Sequence, residues 1–173
     1  MATTTKKTTK TESTAKTAAK TATTKKATKP ASEGTTLIIA EKPSVAADLV
    51  KVLGAKSFKK NNGYYESDTT IVSHAIGHLV TIADPKDIDE RYKAWDMKTL
   101  PMLPEKFPLV ATPATKSQLS IVGKLIKRKD VTTIVNACDA GREGELIFFY
   151  ILQYVLKGKF TGKTIKRLWM QSM

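Results

Sequence analysis

Two short acidic segments, each following an apolar run, carry the chemistry of this chain: Ala40-Glu41-Lys42-Pro43-Ser44 and Asp139-Ala140-Gly141-Arg142-Glu143-Gly144-Glu145. Glu41, Asp139 and Glu143 offer hard carboxylate oxygens, which repel one another unless a cation lies between them and which favour Mg²⁺. Lys42 and Arg142, each beside one of these acids, offer positive charge to a phosphate oxygen on the metal's far side. The set reads as a Mg²⁺ and phosphate site. The competing reading, that each acid caps a helix or sits solvated in a loop, applies to any single strand-end carboxylate. Two such segments, both with an adjacent cation, weigh against it without removing it.

The two segments meet only if their strands are neighbours. Leu37-Ile38-Ile39-Ala40 and Ile134-Val135-Asn136-Ala137-Cys138 are short runs rich in β-branched residues, as buried parallel strands are. Pro43 and Ser44 suit a helix start, and Ala46, Leu49, Val50 and Leu53 fall at i, i+3, i+4 and i+7, so a helix is expected to about Gly54. A second helix is expected over Gly144 to Leu156, with an apolar face through Leu146, Ile147, Phe149, Tyr150 and Val155. In an open parallel sheet, ligands bind beyond the carboxyl ends of the strands, which is where both acidic segments fall.

Elsewhere, Tyr64-Tyr65-Glu66 and Thr70-Ile71-Val72-Ser73 flank Ser67-Asp68-Thr69 as a hairpin would. Residues 84 to 108 are rich in proline and charge and form the longest loop-like stretch. Within it Arg91, Tyr92, Lys93 and Trp95 interleave cations with aromatics, as grooves for single-stranded DNA do; the alternative is that Trp95 anchors the loop by burial. Leu119, Val122, Leu125 and Ile126 mark a helix over about 114 to 128, whose Lys124, Lys127, Arg128 and Lys129 read as a solvated face and a basic last turn. Lys163 to Gln171 reads as a final strand. The order predicts an α/β fold with a mainly parallel sheet flanked by helices, Rossmann-like in architecture.

The single cysteine, Cys138, excludes an internal disulfide and fits a buried small residue in a reducing compartment. His74 and His78 are four apart, but Gly77 and the β-branched residues before it argue for a strand and turn, which makes a zinc site a poor fit.

With 29 Lys+Arg against 16 Asp+Glu, a net charge of +13 favours polyanionic partners. Residues 1 to 33 hold eight lysines and two glutamates amid Thr and Ala, without an aromatic residue, so residues 1–34 are expected to be a disordered basic tail, and residues 35–173 the folded domain. The tail reads equally as a non-specific DNA tether or a solubilising leader. It lacks a secretory apolar core, and no run of about 18 apolar residues occurs, so no membrane partner is expected.

From Leu37 to Met173 the chain resembles the N-terminal Toprim domain of type IA DNA topoisomerases, most closely the bacterial topoisomerase III branch. The resemblance rests on six segments in order: Ile39 to Ala46, Ala75-Ile76-Gly77-His78-Leu79, Arg91-Tyr92-Lys93-Ala94-Trp95, Leu100-Pro101-Met102-Leu103-Pro104, Asp139 to Ile147, and Lys166-Arg167-Leu168-Trp169. It implies an isomerase that cleaves, passes and rejoins single DNA strands without ATP, using Mg²⁺ as cofactor in the bacterial cytoplasm, near the nucleoid. It also implies residue roles. Glu41 matches a glutamate that protonates the leaving 3′ oxygen close to the metal, Asp139 and Glu143 match metal-binding acids, Lys42 matches a lysine near the scissile phosphate, and Arg142 belongs to the same signature as the acids. Arg91, Lys93 and Trp95, with Lys42 and Arg142, are the implied contacts to single-stranded DNA.

The family's Asp-x-Asp-x-Glu pattern has Gly141 at its second aspartate here, so one Mg²⁺ rather than two is expected, with Gly141 bringing backbone amides toward the phosphate. None of Tyr64, Tyr65, Tyr92, Tyr150 and Tyr154 lies in a segment like the family's catalytic tyrosine motif, and Tyr150 and Tyr154 read as packing residues. The chain therefore looks like the front part of such an enzyme, without the later domain that carries the nucleophile, and is expected to be inactive alone. The alternatives are another Toprim phosphotransfer enzyme, a primase or nuclease, and a non-catalytic DNA-binding fragment.

Overall fold

A computed structural model describes residues 34–94, 96–160 and 162–169. The expected tail and Trp95 lie outside the described residues. Eight strands and four α-helices follow in chain order: β1 (Thr35–Ala40), α1 (Pro43–Val52), β2 (Lys59–Asn61), β3 (Tyr64–Glu66), β4 (Thr70–His74), β5 (Val80–Ile82), α2 (Pro85–Ile88), β6 (Leu109–Ala111), α3 (Lys116–Ile126), β7 (Val131–Ala137), α4 (Arg142–Leu156) and β8 (Thr164–Arg167).

Six strands form one sheet in the order β2-β3-β4-β1-β7-β8. β1 lies between β4 and β7, parallel to both, and β7 pairs in parallel with β8. The β2-β3-β4 edge is antiparallel, and β4 supplies the second arm of the expected hairpin. The sheet is thus mainly parallel, as expected. β5 and β6 form a separate two-stranded antiparallel sheet at the two ends of the 83–108 stretch, a pairing that the sequence reading did not anticipate.

Side-chain alternation along β1 divides the core. Leu37 and Ile39 point to one face, with Ile71 and Ile134, and are covered by Leu119, Val122, Leu125 and Ile126 of α3 and by Ile147, Phe148, Ile151, Leu152 and Val155 of α4. Ile38 and Ala40 point to the other face, with Val72 and Ala137, and are covered by Val45, Ala46 and Val50 of α1. Residues at successive positions of a strand face opposite sides, so a run buried along its whole length needs helices on both. β1, with five of its six residues buried, is such a run.

α1, α3 and α4 begin and end close to the expected places, whereas the short α2 falls in the stretch expected to be loop. Pro43 occupies the first turn of α1, where its missing N–H costs nothing, and the helix closes at Leu53. α3 is preceded by a 3-10 turn at Pro113–Thr115. β8 is shorter than expected, ending at Arg167, with Leu168 and Trp169 continuing beyond it. Arg128, expected to be part of a solvated basic turn, instead sits in an ion-pair cluster: it reaches Glu66 at 2.6 Å and Asp130 at 2.7 Å.

Candidate functional site

Strand register brings the two acidic segments to one place. Ala40, the last residue of β1, pairs with His74 on β4 and with Ala137 on β7, so three strands finish at one level. Arg167, the last residue of β8, pairs with Asn136 one step earlier. The loops that leave these ends carry Glu41-Lys42, His78 and Asp139, and α4 starts among them.

Glu41 and Asp139 are in contact: the Asp139 backbone N–H donates to Glu41 Oε2 at 3.4 Å. Lys42 Nζ lies between the carboxylates, 3.3 Å from Asp139 Oδ2 and 3.8 Å from Glu41 Oε1. The hydrogen bond to Asp139, with the charges of Asp139 and Glu41, raises the Lys42 pKa further above neutrality. Glu41 is nearly enclosed, its side chain 12% exposed, whereas that of Asp139 is 51% exposed. Arg142 and Glu143 stand in the exposed first turn of α4. Acids there are favoured by the helix dipole. Glu143 Oε1 faces His78 Nε2 at 3.4 Å, and Arg142 makes no ion pair among the described residues.

Among the described residues no three of His, Cys, Asp and Glu converge closely enough to hold a metal ion. Glu41 and Asp139 are joined through the Lys42 ammonium, and Glu143 is turned to His78. The donor set nevertheless fits Mg²⁺ in kind: three carboxylates, two of them largely exposed, beside a lysine whose side chain is 57% exposed and has room to leave the position between the acids.

A second set of side chains fixes the acid loop from below, and the sequence reading missed it. Arg167 donates through Nη2 to the Asp139 carbonyl at 2.8 Å and approaches Glu145 Oε1 through Nε at 3.0 Å. Neither Nε nor Nη1 is aligned for a hydrogen bond. Asn136 Nδ2 donates to the other Glu145 oxygen at 3.0 Å, while Asn136 Oδ1 accepts from the Cys138 N–H at 3.0 Å. Asn136 is buried between the apolar neighbours Val135 and Ala137, which is the one signal in the sequence that something polar had to be met there.

The two glycines of the loop have reversed roles. Gly141 has extended backbone, φ −166°, and a Cβ there would meet nothing within 4 Å, so its place does not require glycine. Its N–H donates to the Asp139 carbonyl at 2.9 Å, which leaves that amide unavailable to a phosphate, contrary to expectation. A Cβ on Gly144 would lie 2.2 Å from the Asp139 backbone oxygen; this residue lets α4 begin directly against the acid loop.

Among the described residues, Arg91 and Lys93 make no hydrogen bond or ion pair with this cluster. Arg91 is bound within its own turn, paired to Asp89 at 2.9 Å and donating to the Tyr92 hydroxyl at 3.0 Å. Lys93 is exposed on the same segment, and Trp95 lies outside the described residues. His74 ends β4, where burial lowers its pKa. Cys138 is buried, which pushes its thiol up to about 12. Of the tyrosines, Tyr64 and Tyr150 pack on the larger core cluster, Tyr65 on the smaller, and Tyr92 is buried. Tyr154, expected to pack like Tyr150, is 40% exposed.

A mainly parallel sheet flanked by helices, with acids and cations gathered beyond its carboxyl edge, defines an open-sheet α/β domain. The chain belongs to the Toprim family, whose domain matches residues 36–173. Over 138 residues, 80% of its length, it is 48% identical to the DNA topoisomerase 3 of Bacillus anthracis and to that of Bacillus cereus (strain ZK / E33L). It is 45% identical over the same length to the DNA topoisomerase 3 of Bacillus subtilis (strain 168). The chain spans 18% of the length of these curated relatives. No helix among the described residues is long and apolar enough to cross a membrane.

Proposed function

We propose that this chain is the Mg²⁺-binding Toprim part of a type IA DNA topoisomerase of the topoisomerase III kind, acting on single-stranded DNA. The observation that carries the reading is the meeting of Glu41, Lys42 and Asp139 at the ends of adjacent parallel strands, in a domain similar to that of the DNA topoisomerases 3 named above.

Asp139 and Glu143, with Glu41 beside them, would hold Mg²⁺, and Lys42 and Arg142 would take the phosphate oxygens. When bound, the metal would supply positive charge against the phosphate that is being broken and rejoined. The nucleophile is a tyrosine that the family carries on a later domain. Its hydroxyl gives up its proton to solvent as the oxygen bonds to phosphorus, the bond from phosphorus to the 3′ oxygen breaks, and that 3′ oxygen takes a proton. Glu41, enclosed and touching the Asp139 amide, is the group held in place to deliver it. Rejoining runs the same transfers backwards.

The test is the anisotropy of a labelled single-stranded oligonucleotide with and without Mg²⁺, for the parent chain and for Asp139→Ala, Glu143→Ala. Mg²⁺-dependent tightening that disappears in the double variant is expected. Binding that ignores both the metal and the substitutions would reduce the chain to a basic DNA-adhering domain and end the reading.

A further inference from the structure

At the far end of α4 from the acids, a groove runs between α3 and α4. Its first part, of about 550 Å³, is bordered by Lys116, Lys124, Lys127, Tyr154 and Lys157. A second part, of about 570 Å³, adjoins it through Tyr154 and Lys157 and adds Lys106. Five lysines line the two parts with no acid among the lining residues, and none of the five makes an ion pair among the described residues. α4 is 15 residues long, which separates the groove from the acid site by about 22 Å at 1.5 Å per residue.

The helices that bear the charge explain only part of it. Lys124 and Lys127 lie at the C-terminal end of α3, and Lys157 follows the last turn of α4, where cations complement the dipole. Lys116 lies in the first turn of α3, where a cation opposes the dipole, and that turn holds no acid to offset it. Lys157 adopts φ 51°, and no other described residue except glycine has a positive φ. A left-handed position at a helix C-terminus is the usual place of glycine or asparagine. Lys116 thus stands against its helix dipole and Lys157 in a backbone conformation that non-glycine residues rarely adopt, both on one groove. The spacing of Lys116, Ser120, Lys124 and Lys127 puts them on a single face of α3.

We infer that this groove is a second nucleic-acid contact, which binds the phosphate backbone of a strand that is not held at the acid site. Its occupant follows from charge: a row of unpaired lysine tips around an open channel matches a chain of regularly spaced phosphates and has no preference for base sequence. Half-exposed Tyr154 offers one face for a base. The inference shares with the functional proposal only the class of partner, since it needs neither Mg²⁺ nor the carboxylates.

The test compares the full chain with two variants of equal charge. One carries Lys116→Gln, Lys124→Gln, Lys127→Gln and Lys157→Gln. The other carries Lys56→Gln, Lys59→Gln, Lys60→Gln and Lys98→Gln, four exposed lysines elsewhere. Single-stranded and duplex oligonucleotides are titrated across a salt series, each also in the Asp139→Ala, Glu143→Ala background, with circular dichroism confirming that each variant is folded.

Each lost phosphate contact lowers the salt slope by about 0.7 on a single strand and 0.9 on a duplex, so the groove variant should lose about 3 from the slope and at least about tenfold in affinity near 0.1 M salt. The control variant should lose clearly less, and the acid-site background should leave the difference intact. The arm with the larger loss identifies the strand form that the groove takes. Equal losses in the two lysine variants would overturn the inference while leaving the acid-site reading untouched. Absence of any oligonucleotide binding by the parent would overturn both, and so would attachment to phosphatidylserine vesicles with no oligonucleotide binding.

Discussion

The two ends of the central sheet each gather acids around a cation, and they finish the task differently. At the amino ends of β1 and β7, Arg128 donates to both oxygens of Asp130, at 3.0 and 2.7 Å, and to Glu66 at 2.6 Å. At the carboxyl ends of the same strands, Lys42 reaches Asp139 at 3.3 Å and Glu41 at 3.8 Å, Arg142 has no acidic partner among the described residues, and Glu143 is 74% exposed. The first cluster engages all three nitrogens of a planar guanidinium, and the second uses a single flexible ammonium for two carboxylates. A saturated cluster holds chain segments together. An unsaturated one keeps charge available for something that is not protein.

The largest break in this contrast comes from Gly144. Gly144→Ala would push a methyl group into the Asp139 carbonyl and force the start of α4 away from the acid loop. A loss of about 2 to 4 kcal/mol in urea unfolding is expected, together with the Mg²⁺ response. Gly141→Ala, three residues earlier and facing open space, should change stability by less than about 0.5 kcal/mol. Equal effects would mean that the loop is not held by its contact with α4.

Arg128→Ala, which strands Asp130 and Glu66, should cost about 1 to 2 kcal/mol in the same measurement. Lys42→Ala should leave the unfolding midpoint where it is and alter the Mg²⁺ dependence of DNA binding instead. A shifted midpoint in Lys42→Ala would show the carboxyl-edge cluster to be structural after all.

The smallest effect is a pH dependence. The hydrogen bond from Arg128 holds the Asp130 carboxyl down to about 2, against about 3.9 in an unfolded chain. The unfolded state binds the proton more readily, so this stabilisation is complete above about pH 4 and is lost as the pH falls toward 2. Asp130 is half exposed, which keeps the contribution below about 1 kcal/mol. Asp130→Asn should remove that part of the slope between pH 4 and 2, and an unaltered slope would show that the Arg128 cluster is not saturated in solution.

The reading of the candidate site in the sequence was local. Glu41-Lys42 and Asp139 to Glu143 are contiguous with the strand and helix that place them, and periodicity reads those elements directly. His78, Arg167 and the buried Asn136 were missed because they lie outside the two acidic segments, His78 on the loop after β4, Arg167 at the end of β8 and Asn136 within β7. Their association depends on the register Ala40 with His74 and Asn136 with Arg167, which no local pattern encodes. Gly141 was credited with an anion-cradling role because glycine permits one. The structure gives it ordinary extended backbone and an occupied N–H, and assigns the need for glycine to Gly144.

By itself the sequence determined the strands and helices that flank the two acidic segments, and that acids and cations follow two strand ends, because apolar periodicity and loop chemistry act over a few residues. Only the tertiary structure decided that β1 and β7 are adjacent, that Lys42 spans two carboxylates while Arg128 is saturated by two others, and that lysines from α3, α4 and the 106 segment share one groove. Those are properties of distance between parts of the chain far apart in sequence, set by how two helical layers cover one sheet and by nothing written at any single position.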